Sequence, residues 1–472
     1  MNCYSTKFFF HDYETFGTNP ALDRPAQFAG VFTDDKFNIT TRPKIFYCCL
    51  PNDYLPKPES VVVNGIIPQL VMQKGYNEAE FAKRIHNILT IKQTCTVGYN
   101  NIQFDDEITR NIFYRNFYDP YAWSWKNGNS RWDLLNVMRA CYALRPEGIN
   151  WPRNKDGFVS FKLKHLTKAN GIKHDNIHNA MSDVYATIAI AKLVKEKQPK
   201  LFEYLFKNRN KEKIISMIDI VGMKPLLHVS NLFGKSRNNI SLILPLAWHP
   251  NNRNTLIVID LSSDIYPLLR RDVFFLQKFL YEKKYNKEIA DKIPLILVHI
   301  NRCPILASIN VLRPEDEIRL GLDRAHCINN LKLIYNNPEI RKKVLIIFNM
   351  QKQNITSDVD TKLYDGFFSS SDQAKMNIIH RTSPKLLSKL NLNFENNRLK
   401  ELLFRYRARN YPNTLSFEEQ LCWKKHCKIN LNYKRIKSFL SEIKLLKKSY
   451  KDNQNKIEIL RSLYFYAKSI IT

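Results

Sequence analysis

Apolar runs in the first 198 residues alternate with segments whose apolar positions recur at helical spacing. The runs predict strands and the helical spacing predicts helices between them, as in a layered α/β domain. Asn77, with Glu80 three residues later, has the capping-box pattern of a helix start. The pattern predicts strands at 8–14, 28–32, 45–49 and 94–98 and helices at 78–89 and 104–115.

The pattern changes twice along the chain, which indicates three domains. A polar run with a proline at 196–200 ends the α/β part, and a polar stretch at 353–360 is typical of a linker. Short apolar runs between them predict a β-rich domain, and helical periodicity fills the remainder. At about 150 residues per domain, a chain of 472 residues also suggests three domains. We predict domains at 1–198, 199–352 and 353–472, strands at 241–248, 255–261 and 295–300, and C-terminal helices at 402–408, 417–427, 436–448 and 457–470.

Two acidic residues share one face of the first predicted strand. Asp12 and Glu14 are two residues apart, and side chains at that spacing on a strand point the same way. Carboxylates this close resist joint ionisation unless a cation neutralises them, and hard divalent ions such as Mg²⁺ prefer carboxylate oxygen. The alternative for this pair alone is the solvated face of an edge strand.

Three further residues strengthen the metal interpretation. Asp105 opens the helix at 104–115, although an acidic residue there can simply complement the helix dipole. Asp183 begins a helix, and His178 precedes it by five residues, which is about 140° of rotation at 3.6 residues per turn. His178 must therefore come from the preceding loop to meet Asp183. Its alternative role is to cap that helix.

The chemistry available to this set is phosphodiester hydrolysis. Two Mg²⁺ ions about 4 Å apart stabilise the attacking and leaving oxygens of a displacement at phosphorus. An imidazole with an ordinary pKa of about 6.5 can take a proton from the attacking water near neutral pH. We expect His178 to be that base, and we expect the metal ligands to be Asp12, Glu14, Asp105 and Asp183. His11 points to the opposite strand face from Asp12 and is not assigned to the metals.

The ordered set D-x-E, F-D and H-x-x-x-x-D resembles the DEDD exonuclease superfamily, in its histidine-bearing branch. The resemblance places the acid directly after Phe104, which favours Asp105 over Asp106. Further segments look like the bacterial exodeoxyribonuclease I family across essentially the whole chain: 11–17, 22–29, 111–125, 143–152, 245–250, 312–316 and 406–410. The fold class this implies is α/β: an RNase H-like exonuclease domain, a β-rich SH3-like domain and an all-helical C-terminal domain.

The resemblance implies a specific reaction. It is the processive 3′-to-5′ hydrolysis of single-stranded DNA to 5′-mononucleotides in DNA repair and recombination, with two Mg²⁺ ions for which Mn²⁺ can substitute. The residues alone support only metal-dependent phosphodiester hydrolysis. Two alternatives remain open, namely an exoribonuclease that trims 3′ ends and a catalytically silent protein that binds single-stranded DNA.

The charge of the chain fits a polyanionic partner. Lys and Arg number 73 against 44 Asp and Glu, a formal net charge of +29, and neutralising phosphates releases condensed counterions. A compositional drift towards Lys, Asn and Ile accounts for the total equally well. Aromatic and basic residues are also interleaved between Arg110 and Arg139, a pattern that suits base stacking along a single strand, although core packing is the alternative for each aromatic residue.

By resemblance, the substrate-binding residues are Glu14, Val63, Arg110, Tyr121, Trp125, Arg139 and Lys162. Lys162 stands where the family typically has arginine, and lysine lacks the two-pronged guanidinium grip on phosphate. We therefore expect a weaker phosphate contact at this position.

The resemblance also implies a protein partner, the acidic C-terminal tail of the single-stranded-DNA-binding protein. The matching positions are Arg145, Tyr204 and Arg313, while Tyr335 stands where the family can have a basic residue.

The nine cysteines are scattered and contain no C-x-x-C pair, which is typical of a reducing compartment. Cys422, His426 and Cys427 lack a second ligand pair for zinc. No signal peptide and no membrane-length apolar run is present. We expect a monomeric cytoplasmic protein.

Overall fold

The computed structural model describes residues 6–175, 178–281, 293–350 and 358–471, without the side chain of residue 471. Two compact units divide the chain. The first contains residues 1–131, 174–188 and 354–472, and the second contains 132–173 and 189–353. The predicted boundary at 352/353 and the first part of the predicted linker, 353–357, lie outside the described residues.

Ten strands are described, in two sheets of five. They are β1 Lys7–Thr15, β2 Pro25–Thr33, β3 Lys44–Tyr47, β4 Thr94–Gly98, β5 Ser130–Asp133, β6 Leu226–Val229, β7 Ile240–His249, β8 Asn252–Asp260, β9 Leu295–His299 and β10 Ile305–Ser308.

The described α-helices are α1 Pro58–Asn64, α2 Pro68–Lys74, α3 Glu78–Leu89, α4 Asp105–Arg115, α5 Leu134–Leu144, α6 Leu163–Ala169, α7 Ala180–Lys197, α8 Pro199–Lys207, α9 Lys211–Ser216, α10 Tyr266–Arg270, α11 Val273–Tyr281, α12 Pro314–Leu320, α13 Arg324–Tyr335, α14 Ile340–Phe348, α15 Ser370–Arg381, α16 Arg398–Asn410, α17 Phe417–Asn430, α18 Tyr433–Ser449 and α19 Gln454–Ile471.

The first sheet has the strand order β3-β2-β1-β4-β5, so that β1 lies at its centre. β1 is antiparallel to β2 and parallel to β4. On one face, Phe9 and Tyr13 of β1 pack with Phe81 of α3 and Phe113 of α4 in a buried apolar cluster. Alternation along β1 sends Asp12 and Glu14 to the other face. The core on one side of the sheet thus fixes which residues of β1 can reach a site on the other.

α3 begins where the sequence predicts. The side chain of Asn77 accepts a hydrogen bond from the backbone N–H of Glu80 at 2.9 Å. Burial of Ala79, Phe81, Ala82, Ile85 and Leu89 follows the helical period and turns one face of α3 to the sheet.

The C-terminal helices of the first unit pack on residues from its N-terminal part. Phe439 and Ile443 of α18 and Leu460 and Leu463 of α19 share a buried apolar cluster with Val61 of α1. A second cluster joins α15 and α16 to aromatic residues of α4 and the segment after it. Each of the two clusters therefore joins residues that are far apart in sequence.

Buried ion pairs accompany this packing. Arg409 Nη2 lies 2.8 Å from Asp53 Oδ2 and 2.6 Å from Asp360 Oδ2, and Arg24 also contacts Asp360, at 3.2 Å. Burial alone would raise the pKa of Asp53, but Arg409 and His426 hold it well below its usual range. The described end of the predicted linker is consequently anchored, because Asp360 is in a buried 3₁₀ turn.

The second unit contains the other sheet, with the order β10-β6-β7-β8-β9 and antiparallel neighbours. Leu226, Ile243, Val258 and Val298 form its apolar core. Asp260, at the end of β8, accepts hydrogen bonds from Ser263 at 2.7 Å and from Arg237. These contacts close one end of the sheet.

The predicted strands and helices within the described residues are confirmed, with ends shifted by a few residues. None of the described helices combines the length and the apolar composition that a membrane crossing requires. No described cysteine forms a disulfide, and Cys3 lies outside the described residues.

Candidate metal and nucleic-acid site

The two acidic residues of β1 lie beside Asp105 at the start of α4. The backbone N–H of Tyr13, between them, donates to Asp105 Oδ1 at 3.0 Å. The Tyr13 side chain is buried on the opposite face, where its hydroxyl accepts from Thr109 at 3.0 Å. Tyr13 thus connects β1 to α4 through both its backbone N–H and its side-chain hydroxyl.

Asp106 has a different role from Asp105. It is fully buried and its Oδ2 lies 2.7 Å from Arg131 Nη1, while Oδ1 accepts from Asn101 at 3.3 Å. The ion pair with Arg131 offsets the charge of Asp106, so its carboxylate is engaged in holding the fold. The choice of Asp105 over Asp106 as a metal ligand stays a prediction.

His178 and Asp183 reach the same place from either side of the start of α7. His178 is in the turn before the helix, as the helical spacing predicts, with φ of 65°. That left-handed conformation is uncommon for a residue with a side chain. Ligand atoms of Glu14, His178 and Asp183 all lie within 4.8 Å of one another. The strand and the turn therefore converge on one small volume.

The carboxyl groups strongly shift one another's pKa values. Burial, followed by the charges of Asp105, Glu14 and Asp183, raises the pKa of Asp12 well above its usual range. Burial and then Asp183 and Asp105 raise the pKa of Glu14 to about 9. Burial also raises the pKa of Asp183, although His174 and His178 oppose this. Four acids that cannot ionise together without compensation form a site that favours a cation.

The donor set fits divalent metal ions of the hard type. Carboxylate oxygens converge from β1, α4 and α7, and Mg²⁺ and Mn²⁺ prefer such ligands. Asp12 and Asp105 take part through their charges, while Glu14 and Asp183 supply the close pair of oxygens.

His174 is a neighbour of the site that the sequence did not reveal. Its Nε2 lies 2.5 Å from Asp183 Oδ1, and its side chain is buried. The signal was a second histidine four residues before His178, but the segment has no periodicity from which to orient it. His174 orients one carboxylate of the set.

His11 stays outside the site, as strand alternation predicts. It is buried against Phe28, with ring centroids 5.8 Å apart, and burial lowers its pKa to about 4. Neither ring nitrogen has a hydrogen-bond partner within the described part of the chain. His11 is a neutral core residue.

Asn64 borders the acids from α1. The Asn64 side chain donates to the Thr15 carbonyl at 3.0 Å and also bonds the Glu14 carboxyl. Val63, the residue before it, is 48% exposed. Its exposure suits contact with a nucleotide.

The aromatic residues at the end of α4 and in the segment after it divide into core and surface. Tyr114, Phe117 and Trp123 are buried, whereas Trp125 is 65% exposed. Arg110 is buried, pairs with Glu107 at 2.8 Å and lies 5.4 Å from the ring centroid of Tyr121. Trp125 is therefore the candidate stacking residue with the most accessible ring, while Arg110 supports Tyr121.

The remaining candidate substrate residues belong to the second unit. Arg139 Nη1 donates to Asn136 Oδ1 at 2.8 Å within α5. Lys162 is exposed and immediately precedes α6, for which it is the N-cap residue.

The candidate partner residues are also in the second unit. Asp316 lies 2.7 Å from Arg313 and 3.8 Å from Arg145, so these two arginines share one buried carboxylate. The Tyr204 hydroxyl donates to the Leu306 carbonyl at 3.0 Å. Tyr335 donates to the Met223 carbonyl at 3.0 Å and is partly exposed.

Cys422 and Cys427 do not form a second metal cluster with His426. His426 instead contacts Asp53 at 3.2 Å. Among the described residues, Glu14, His178 and Asp183 form the one group of three side chains close enough to hold a metal ion.

The whole chain is similar to proteins of known type. Residues 9–191 match the family described as "Exonuclease", 209–350 the "Exonuclease I SH3-like domain" and 357–470 the "Exonuclease I C-terminal domain". Exodeoxyribonuclease I of Escherichia coli (strain K12) is 55% identical over 465 residues, covering 98% of each chain.

Two solved structures have closely similar folds. A zinc-bound E. coli ExoI–ssDNA complex superposes with a TM-score of 0.95 at 54% identity, covering 99% of this chain and all of that one. An SSB/Exonuclease I structure with the inhibitor CFAM superposes with a TM-score of 0.94 at 53% identity, covering 99% and 100%. The similarity extends over all three predicted domains.

Proposed function

The chain belongs to the exodeoxyribonuclease I family, and from this premise we propose that it is a Mg²⁺-dependent enzyme that hydrolyses single-stranded DNA processively from the 3′ end. The products are 5′-mononucleotides, and the cellular role is DNA repair and recombination. The observation that carries the proposal is the convergence of Glu14, Asp183 and His178 within 4.8 Å beside Asp12 and Asp105.

The carboxylates and the imidazole have separate roles. Asp12, Glu14, Asp105 and Asp183 would hold two Mg²⁺ ions, which would supply stabilisation of the attacking and leaving oxygens. His178 accepts the proton of the attacking water at a ring nitrogen, since it adjoins the acids and approaches from a turn separate from β1. His174 keeps Asp183 in place.

Strand binding uses exposed aromatic and basic side chains. Val63 contacts the terminal nucleotide beside Glu14, and Trp125 and Tyr121 stack bases, each stacked base contributing about 1 to 3 kcal/mol. Arg110 supports the Tyr121 ring. Arg139 and Lys162 bind phosphate, Lys162 with a single charged amine.

The acidic tail of the single-stranded-DNA-binding protein is the proposed protein partner. Arg145 and Arg313 retain positive charge around Asp316, and Tyr204 lies in the same unit. The related structure with SSB supports this proposal. Tyr335 offers a hydroxyl but no charge, which predicts weaker binding than a basic residue would give.

One cleavage experiment tests the proposal. Single strands of DNA and RNA with matched sequence are labelled at the 5′ or 3′ end and digested with Mg²⁺, beside an Asp183→Asn control. We expect 3′-to-5′ release of mononucleotides from DNA by the wild type alone. Preferential RNA digestion would favour the exoribonuclease, and DNA binding without cleavage would favour the silent binding protein.

A further inference from the structure

A stripe of lysines runs along α18. Lys434, Lys437, Lys444 and Lys448 follow one another at intervals of three, seven and four residues. At 100° per residue these positions fall within a sector of about 80°, and at 1.5 Å per residue they span about 21 Å. The lysine stripe is therefore a line of positive charge on one face of the helix.

The opposite side of α18 is buried. Phe439 and Ile443 pack into the apolar cluster shared with α19 and α1. The four lysines are exposed. Glu442, the one acidic residue of α18, lies outside their sector. Within the described part of the chain, no acidic side chain forms an ion pair with any of the four, so their charge is available to a ligand.

An exposed aromatic ring begins the stripe. Tyr433 is 77% exposed, and the Lys437 amine lies 5.9 Å from its ring centroid. Solvated lysines are common on helices that have one buried face. A ring that is left in solvent beside the lysines adds the second component of a single-strand-binding surface, which combines cations with a stacking platform.

The core cluster connects this surface to the candidate active site. α18 and α19 pack on α1, and α1 carries Val63 and Asn64 beside Glu14. The same folded unit thus presents the terminal-nucleotide contact and the lysine stripe.

We propose that the lysine stripe and Tyr433 bind the sugar-phosphate backbone and a base of single-stranded DNA outside the catalytic pocket. The ligand is a flexible polyanion with aromatic bases, recognised without sequence preference. This inference rests on the proposed function, but it concerns a surface that contains none of the candidate metal ligands.

The test compares two variants that each lose four lysine charges, at different places on the surface. One variant replaces Lys434, Lys437, Lys444 and Lys448 by Gln. The matched control replaces four exposed lysines from four other segments by Gln: Lys36, Lys92, Lys200 and Lys389. Thermal unfolding establishes that both variants are folded. KM is measured with an oligonucleotide just long enough to fill the catalytic pocket and with a strand several times longer, over a range of salt concentrations.

We expect the stripe variant to raise the ratio of long-strand KM to short-strand KM about tenfold, and the control to leave it near the wild-type ratio. The salt slope is the steepness with which log affinity falls as log salt concentration rises. Each lost phosphate contact lowers this slope for a single strand by about 0.7, so the loss of four contacts lowers it by about 3. Tyr433→Ala should raise the long-strand KM without changing the slope.

Equal KM ratios and slopes in the two lysine variants would overturn the proposal. Loss of binding to an acidic peptide, with long-strand binding unchanged, would also overturn it in favour of a protein partner. Absence of cleavage of both strands by the wild type would instead contradict the proposed function, while long-strand binding by the inactive protein would still test the stripe.

Discussion

His174 Nε2 and Asp183 Oδ1 are 2.5 Å apart, in a partly buried pair at the edge of the carboxylate cluster. A hydrogen bond to a ligating carboxylate fixes its orientation, and outer contacts of this kind contribute to metal affinity. In the proposed metal site, His174 acts through Asp183, whereas His178 adjoins the carboxylates directly.

His174→Gln should weaken Mn²⁺ binding by about 10- to 100-fold, because Asp183 loses the partner that orients it. Calorimetric titration of the metal-free protein measures this without any turnover. His326→Gln, on α13, is the matched control and should bind Mn²⁺ as the wild type does. Unchanged affinity in the His174 variant would show that Asp183 is positioned by other contacts.

His178→Ala should lower kcat by about 10²- to 10⁴-fold, since it removes the group that accepts the proton. Mn²⁺ affinity should change little, because four carboxylates remain. Single-turnover hydrolysis and metal titration on the same preparation separate the two effects. A large loss of metal binding would make His178 a ligand instead of a base.

The metal-free protein should lose stability as pH rises from about 4.5 to about 9. Glu14 in the unfolded chain releases its proton near 4.5, whereas the folded protein retains it until about 9. Across that window the folded state binds more protons, so ionisation favours unfolding. Glu14→Gln should flatten this dependence, as measured by thermal unfolding in chelator, and added Mg²⁺ should restore stability to the wild type at high pH. A wild-type profile as flat as that of the variant would contradict the raised pKa.

Arg409→Ala should destabilise the protein by about 3 to 5 kcal/mol, because Asp53 and Asp360 would remain buried without their shared cation. Lys197→Ala is the control. Lys197 pairs with Glu196 at 2.7 Å, with both side chains exposed, and loss of an exposed pair costs about 0 to 1 kcal/mol. Denaturant unfolding measures both. Similar losses in the two variants would mean that the buried network adds no more than a surface ion pair.

The candidate site was largely predictable where local periodicity orients a side chain. Alternation along β1 separates Asp12 and Glu14 from His11, and the helical register of α7 requires His178 to come from the preceding turn. His174 had no such pattern, and only the fold brings it to Asp183. The interleaved charges and rings between Arg110 and Arg139 likewise did not indicate that Arg110 is buried and paired with Glu107.

Contacts between distant segments set the limit of prediction for the fold. The order of the three parts and most elements follow from local pattern, and the matches to the three family descriptions agree with that order. Arg409 and Asp53 are 356 residues apart, and no periodicity relates them. The polar stretch at 353–360 suited a linker, but Asp360 at its end is fixed by arginines from two other segments.

The packing of α18 and α19 on α1 has a consequence for biosynthesis. α1 packs on residues of α18 and α19 that are synthesised long after it, and Asn64, at the end of α1, bonds Thr15 and Glu14. Until those two helices have left the ribosome and folded, a growing polypeptide holds all four acids of the candidate site but lacks the packing that supports α1 beside Glu14.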